Sequence, residues 1–545
     1  MSVLFMDIYM GKTQTKKIIT PSIYNVVRSP YNLLMKGLTY GHDRRKMKNI
    51  IIIGAGIGGL VAGNLLAQRG HKVTIFEAHS MPGGYTAGFH RQGYYFESGT
   101  LSFEASAAIF KAMKDIGVFE KIDFVKQKIR LVAEDYDGTP ETYDDYKKML
   151  YSSFPSDKEK LDRVFADLDQ TIGSMGDVDS PMPFVYSGLK MLTAMLPYIL
   201  SAPRQMKLSK QYGDMTSSEF AGRYFEKDSQ LFKLFNGFGY PDMPAMFMGG
   251  GMAGIFYDYW TVQSGMQSWA DILAENFRKL GGDLKLKSYV DAIITKNGTA
   301  VGVSCQNTIY DADYVVSAGD YKKTLLKLLD NQSLIPQAFR DSIGRAPVSE
   351  GVFTVYLGLN RSNEELGEYM KVPHVFTFND KPGYDIYDSE DSEFFSKASP
   401  SLYSPSMVNP QHAPQGKSSL MLQTMVPYHW MNNWGGGDKE LYGQLKQKAM
   451  DAMIDSVSRL IPGLKECIEY KDAATPLTYE RFTHNTDGAT SAWSWNPKKK
   501  FYKNIMSVNI ETPVKNLYIG SCWAMQIGGV PGAIAAAYQC VKRIK

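Results

Sequence analysis

The chain has 545 residues, a formal net charge of +4, 44% hydrophobic and 21% charged residues, and 49 glycines. That balance excludes disordered and fibrous classes, and so small a charge gives no case for nucleic-acid binding. The length exceeds what one core normally fills, so two intertwined or consecutive domains are expected.

The opening stretch holds most of the charge asymmetry: Lys12, Lys16, Lys17, Arg28, Lys36, Arg44, Arg45, Lys46 and Lys48 face only Asp7 and Asp43. It shows little periodicity, and residues 1–47 read as a basic N-terminal extension. Met47 sits just before the first strong strand and reads as a natural start, with the residues before it an upstream misread or a basic surface arm. No secretory pattern and no run of about 18 apolar residues is present, so no membrane crossing is expected. Cys305, Cys467, Cys522 and Cys540 lie far apart without CxxC spacing. That argues against a disulfide framework and a structural zinc site, predicts no metal, and implies a reducing, cytoplasmic location.

The run NIIII at 49–53 reads as a strand buried on both faces, turned by Gly54 to Gly59 into a helix over 58–69 that Gly70 ends. HKVTIFEA at 71–78 follows as a parallel strand, completing a βαβ unit. From about 105 to 260 the pattern is mainly helical and rich in methionine, including Met175, Met191, Met195, Met206, Met243 and Met252. Within it, Val185, Leu189, Leu192, Leu196 and Ile199 fall at helical spacing, followed by Arg204, Lys207 and Lys210. That pattern suits a helix lying in a membrane interface; a buried helix with ordinary methionine packing is the alternative.

An amphipathic helix is expected over 268–280, then a strand over 284–294, a turn at Asn297-Gly298, and further strands through TAVGVSC and YDADYVVSAG. Strands GVFTVYLGL and SLMLQTMVP are separated by a Ser/Pro/Asp-rich loop at 384–417, and a helix spans about 438–460. The tail returns to a strand, NLYIGSC, and a small-residue helix, PGAIAAAYQCVKRI.

The strongest signal is GAGIGG. Gly54 permits the tight turn, Gly56 lets backbone approach a pyrophosphate, Gly59 allows close helix packing, and Glu77 at the end of the second strand is placed to accept from ribose hydroxyls. Ala55 and Gly58 belong to the same turn. Strand, helix and acid all fall where a dinucleotide site requires them. The acid favours a free 2′-hydroxyl, so NAD or FAD rather than NADP.

The segment EAHSMPGGYTAGFHRQGYYFESG (77–99) resembles the FAD-binding opening of the amine oxidase and phytoene desaturase superfamily. Gly83 and Gly84 match its Gly-Gly pair, and Tyr85 stands where those proteins usually carry Arg. Residues 262–293 resemble the phytoene desaturase, carotenoid isomerase and retinol saturase branch, with Val290 at the adenine contact. NLYIGSCWAMQIGGVPGAIAAA (516–537) resembles its closing flavin motif, with Gly528, Gly529, Val530, Pro531 and Gly532 matching. The likeness runs from about 48 to the end. One departure is Ser521-Cys522 where the family commonly has Gly-Asp. Cysteine is a much poorer hydrogen-bond partner than aspartate. Cys522 reads as a buried small hydrophobe, with a redox-active or flavin-linked thiol as the alternative.

The resemblance implies an α/β fold: a Rossmann-like FAD-binding domain of the GR2 flavoprotein type from 48–125, 262–330 and 490–545. A substrate domain of 126–261 and 331–489 would form an apolar tunnel facing a membrane surface. It implies FAD as cofactor and saturation, desaturation or redox-assisted isomerisation of carbon-carbon double bonds in a polyene or other lipid, the enzyme being cytoplasmic or peripheral on the membrane. No second strand–GxGxxG–helix unit appears, so an external electron donor or acceptor is expected. The flavin itself is expected to carry the chemistry. His484 is the side-chain candidate for acid or base work, with a structural histidine as the alternative, and Tyr85, Glu97, Tyr259 and Trp260 are weaker candidates. An amine oxidase acting on a polar amine, or a flavin-binding protein without turnover, are the rival readings.

Overall fold

The computed structural model describes residues 47–172, 182–379 and 381–544. The basic extension up to residue 46 and Met175 lie outside the described residues. Residues 48–544 form one compact unit.

Five parallel strands make the first sheet, in the order Leu517–Ile519, Tyr314–Ser317, Asn49–Ile53, Lys72–Phe76, Asp283–Lys285. The strand Asn49–Ile53 is central, which explains its unbroken isoleucine run: both faces are covered. The helix Ile57–Gln68 follows it and is buried on almost every side. Helices Met266–Lys279 and Gly529–Arg543 pack beside it. An antiparallel three-stranded sheet, Val290–Lys296, Thr299–Cys305 and Thr308–Asp311, flanks this unit. Its first turn is the expected Asn297-Gly298, both residues having positive φ (50° and 73°) as a tight hairpin requires.

The expected single strand over 284–294 is instead two, Asp283–Lys285 and Val290–Lys296, in different sheets. Lys287 takes φ 54°, and the amides of Lys287 and Ser288 donate to His79 and Glu77 carbonyls (2.9 and 2.8 Å), so the chain bends round the end of the second strand. Apolar alternation continues across the bend, which is why the sequence reads as one strand.

A seven-stranded sheet lies beyond: Ile468–Ala474, Gly351–Leu359, Ser418–Val426, Ser401–Tyr403, His374–Thr377, Ile129–Val132 and Asp137–Gly138. The predicted loop at 384–417 therefore contains a strand of this sheet, and the mainly helical 105–260 region contributes two. The paired register Thr354↔Gln423 and Gln423↔Ser401 sets polar side chains along one face. Phe353, Val355 and Leu357 point the other way, into a core with helix Lys439–Val457.

Helix Gly188–Tyr212 buries only Leu208 and Tyr212, at its C-terminal end, in a core with Phe220 and Leu231. Leu189, Leu192, Leu196, Ile199 and Leu200 are 54–77% exposed, which rules out the buried-helix alternative. Val185 does not belong to that face: it is buried in a separate short turn, Pro183–Val185. No helix among the described residues is long and apolar enough to cross a membrane.

Candidate functional site

A cavity of about 1460 Å³ opens at the carboxyl ends of the parallel strands. This is where open α/β sheets place ligands, and its volume exceeds the ~300–1,000 Å³ of ordinary ligand pockets. The glycine turn forms one wall. Gly54 has φ 99°, and its amide donates to the Phe76 carbonyl at 2.7 Å. A Cβ on Gly59 would meet the Gly54 carbonyl oxygen at 2.0 Å, and one on Gly58 would meet the Gly520 oxygen at 2.3 Å. These two glycines let the helix close on its neighbours. A Cβ on Gly56 would meet nothing within 4 Å. The space it faces is the cavity, at the start of a 12-residue helix whose first amides attract anions. An extended dinucleotide fits this cradle.

Glu77 closes the other side. Its carboxylate accepts from the amides of Ala55 (2.7 Å) and His79 (2.8 Å). A carboxylate offers about four acceptor positions, so it retains acceptor capacity toward the cavity that it lines. Burial pushes its pKa up against those two bonds. Gly83 pairs with Gly56, and its amide donates to the Ala55 carbonyl at 2.9 Å, so the Gly-Gly pair borders the same cradle. Val290 also lines the cavity, brought there by the bend at Lys287.

Tyr85 carries an aromatic wall. Its ring stacks on Tyr479 (5.7 Å, 16°) and its hydroxyl donates to the Gly488 carbonyl at 2.9 Å. Tyr479 Oη lies 2.7 Å from Thr354 Oγ1 and 3.4 Å from Tyr356 Oη. Burial raises the pKa of each of these phenols, so they stay protonated.

Ser521, Cys522, Gly529 and Val530 also reach the cavity, beside the glycine turn. Burial pushes the Cys522 thiol up to about 12, which leaves it neutral and argues against a reactive thiolate. Ser521 donates to the Gly319 carbonyl at 2.7 Å. Asp320, which the sequence reading missed, is the carboxylate on this wall: it accepts from the amides of Lys323 (2.7 Å) and Thr486 (2.6 Å). Its signal is the acid directly after the small pair Ala318-Gly319 at a buried strand's end.

Not every expected residue touches the cavity. Ala55, Gly59 and Pro531 sit behind it, the proline in the first helical turn where its missing N–H costs nothing. His484 does line the cavity, packed edge-on against Tyr289 at 5.2 Å, and burial lowers its pKa. Glu97 caps a helix instead: the Met266 amide donates to it at 3.0 Å and Tyr95 Oη at 2.8 Å. Tyr259 bonds His374 Nδ1 at 3.1 Å, and Trp260 donates to Asp258 at 2.9 Å; neither lines the cavity. All four cysteines are free.

The family described as flavin containing amine oxidoreductase matches residues 57–545. The chain is 23% identical over 532 residues to an all-trans-retinol 13,14-reductase of Danio rerio, covering 90% of this chain and 84% of that protein. It is 25% identical over 484 residues to a 4,4'-diapophytoene desaturase (4,4'-diapolycopene-forming) of Methylomonas sp, covering 83% and 88%. Among solved structures, a wild-type putrescine oxidase bound to putrescine superposes with a TM-score of 0.61 at 14% identity, covering 91% of this chain and 99% of that one. At that identity the likeness shows the fold alone.

Proposed function

Because the chain belongs to the flavin containing amine oxidoreductase family, we propose that its cavity holds FAD and that it acts on carbon-carbon double bonds of a hydrophobic polyene or related lipid. The observation that carries the cofactor is the cradle itself: Gly56 facing open space at a helix N-terminus, with Glu77 offering acceptor capacity across from it. A bound flavin supplies the two-electron chemistry. The residues proposed to hold it are Gly54, Gly56, Gly58, Glu77, Gly83, Gly84, Tyr85, Val290, Ser521, Cys522, Gly529 and Val530. Asp320 supplies a carboxylate near the place where the family's aspartate is replaced by cysteine.

The double-bond reading is supported by the reductase and desaturase relatives, whose names specify a retinoid and a carotenoid. The helix Gly188–Tyr212 supports membrane docking. It contains no acidic residue, and its exposed leucines are followed by Arg204, Lys207 and Lys210. Such a face lies in a lipid interface and gives a route for a water-insoluble substrate. We assign 48–125, 262–330 and 490–545 to the cofactor domain and 126–261 with 331–489 to the substrate domain. Electrons come from or leave to a separate donor or acceptor.

The test is the absorption spectrum of the purified protein, followed anaerobically through reduction and addition of a polyene. A flavin spectrum bleached by reductant and restored by the lipid means a saturase. Lipid isomerisation with the flavin staying reduced means an isomerase. A protein that takes up no flavin ends the proposal.

A further inference from the structure

Tyr356 and Tyr479 both line the cavity, and only 4% and 5% of their surfaces are exposed. Tyr356 comes from strand Gly351–Leu359 and Tyr479 from helix Pro476–Thr483. Phe89 meets the Tyr356 ring edge-on at 5.1 Å and Phe96 packs on it at 5.4 Å, so the ring is fixed in the wall. A short polar chain leads to its hydroxyl. Gln423 Nε2 donates to Thr354 Oγ1 at 3.1 Å, Thr354 Oγ1 lies 2.7 Å from Tyr479 Oη, and Tyr479 Oη lies 3.4 Å from Tyr356 Oη.

The protons of this chain do not all find acceptors. Gln423 Nε2 can only donate, so Thr354 Oγ1 accepts there. Thr354 is fully buried, and Tyr479 Oη is the acceptor within its reach among the described residues. A proton stranded inside the sheet costs more than one pointing at an open cavity, so Thr354 donates to Tyr479. Tyr479 then donates toward Tyr356, and the Tyr356 proton is left over. The 3.4 Å contact also exceeds the roughly 2.5–3.0 Å of ordinary O–H···O bonds, so the Tyr356 hydroxyl is loosely held. Directly across the sheet from Tyr356 is Asp472, which also lines the cavity, and Lys446 Nζ bonds its carboxylate at 2.7 Å. The wall thus presents a neutral donor beside a closed ion pair, which suits a neutral oxygen.

We propose that the substrate of this cavity is an oxygenated polyene, and that Tyr356 Oη donates a hydrogen bond to its hydroxyl or carbonyl oxygen. This names the substrate class of the double-bond reading above and rests on it. The rings of Tyr85, Phe89 and Tyr479, which share the cavity, offer apolar surface to the hydrocarbon part. A pure hydrocarbon lying there would cut the Tyr356 donor off from water and give it no acceptor, and a buried donor left unmade is penalised. An oxygen acceptor removes that penalty. The Gln423–Thr354–Tyr479 chain, each group donating to the next, polarises the last donor and strengthens its bond. A site of this kind selects by rejecting the analogue that lacks the partner atom.

The test uses the full chain with flavin added and three polyenes of one length: a terminal alcohol, its methyl ether and the hydrocarbon. Each is titrated at equal mole fraction in the same detergent micelles. Binding is read by quenching of tryptophan fluorescence, since Trp434 and Trp523 line the cavity. The alcohol and the ether should bind about 10- to 100-fold more tightly than the hydrocarbon, the range for a buried donor satisfied against one stranded. The ether belongs with the alcohol because it keeps the accepting oxygen and loses only a proton. In Tyr356→Phe the preference should shrink to about twofold or less. Equal affinity for all three, an ether that follows the hydrocarbon, or a preference that persists in Tyr356→Phe overturns the assignment and leaves the double-bond reading standing. Binding of none of the three overturns that reading, and the assignment with it. Should Tyr356→Phe fail to fold, the three ligands on the parent chain decide alone.

Discussion

The backbone amide of Ala55 donates to Glu77 Oε2 at 2.7 Å, so the acid at the end of the second strand is anchored to the glycine turn that follows the first. Replacing Glu77 with Gln removes the charge and two acceptor positions. Hydrogen bonds to charged groups are worth roughly 1.5–3 kcal/mol, so flavin affinity should fall about 10- to 100-fold, read by fluorescence titration of the flavin-free protein.

Gly56 and Gly59 should separate binding from folding. Gly59→Ala drives a methyl to 2.0 Å from the Gly54 oxygen, backbone that cannot step aside. Overpacking of this kind costs about 1–3 kcal/mol or more, and the melting midpoint should fall by several degrees. Gly56→Ala meets no protein atom within 4 Å. Its melting midpoint without flavin should match the parent, while flavin retention on gel filtration drops at least tenfold.

The exposed stripe of helix Gly188–Tyr212 gives a third expectation. Changing Leu192, Leu196 and Ile199 together to Gln leaves the melting midpoint almost unchanged, because these side chains pack on little protein. Burying a leucine or isoleucine is worth roughly 1.5–3 kcal/mol, so sedimentation with phosphatidylserine-containing vesicles should fall more than 100-fold. Equal vesicle binding by parent and variant removes this helix as the anchor.

Glu97 predicts a pH dependence. Burial pushes its carboxyl from the ordinary 4.5 to about 8, outweighing the bonds from Met266 and Tyr95. The folded chain therefore holds a proton that the unfolded chain releases. The resulting stability is full below about pH 4.5 and is lost as pH rises through 8. The steepest loss is about 1.4 kcal/mol per pH unit. Chemical denaturation of Glu97→Gln should lack this slope between pH 5 and 8, with the parent as reference.

Much of the cofactor side is legible because its signals are local. The strand at 49–53, the glycine turn, the helix and Glu77 lie within thirty residues, and each has a distinct backbone requirement. The hairpin at Asn297-Gly298 is equally local. His484 illustrates the limit: it lines the cavity, but only the packing shows that it does so against Tyr289, next to Val290. Glu97 reads from sequence as a possible acid, and only the incoming Met266 amide makes it a helix cap.

By itself the sequence determined the βαβ unit, the glycine cradle, the partner acid and the apolar-basic helix, since these depend on residue type and short spacing. The tertiary structure decided which way that helix faces, that 284–294 breaks into two sheets, and that Asp320 stands on the cavity wall near Cys522. It also brought together Tyr85, Tyr356 and Tyr479. Those three come from segments more than a hundred residues apart, and no periodicity records a meeting made by chain folding. Their proximity exists only because separate stretches pack against the same cavity wall.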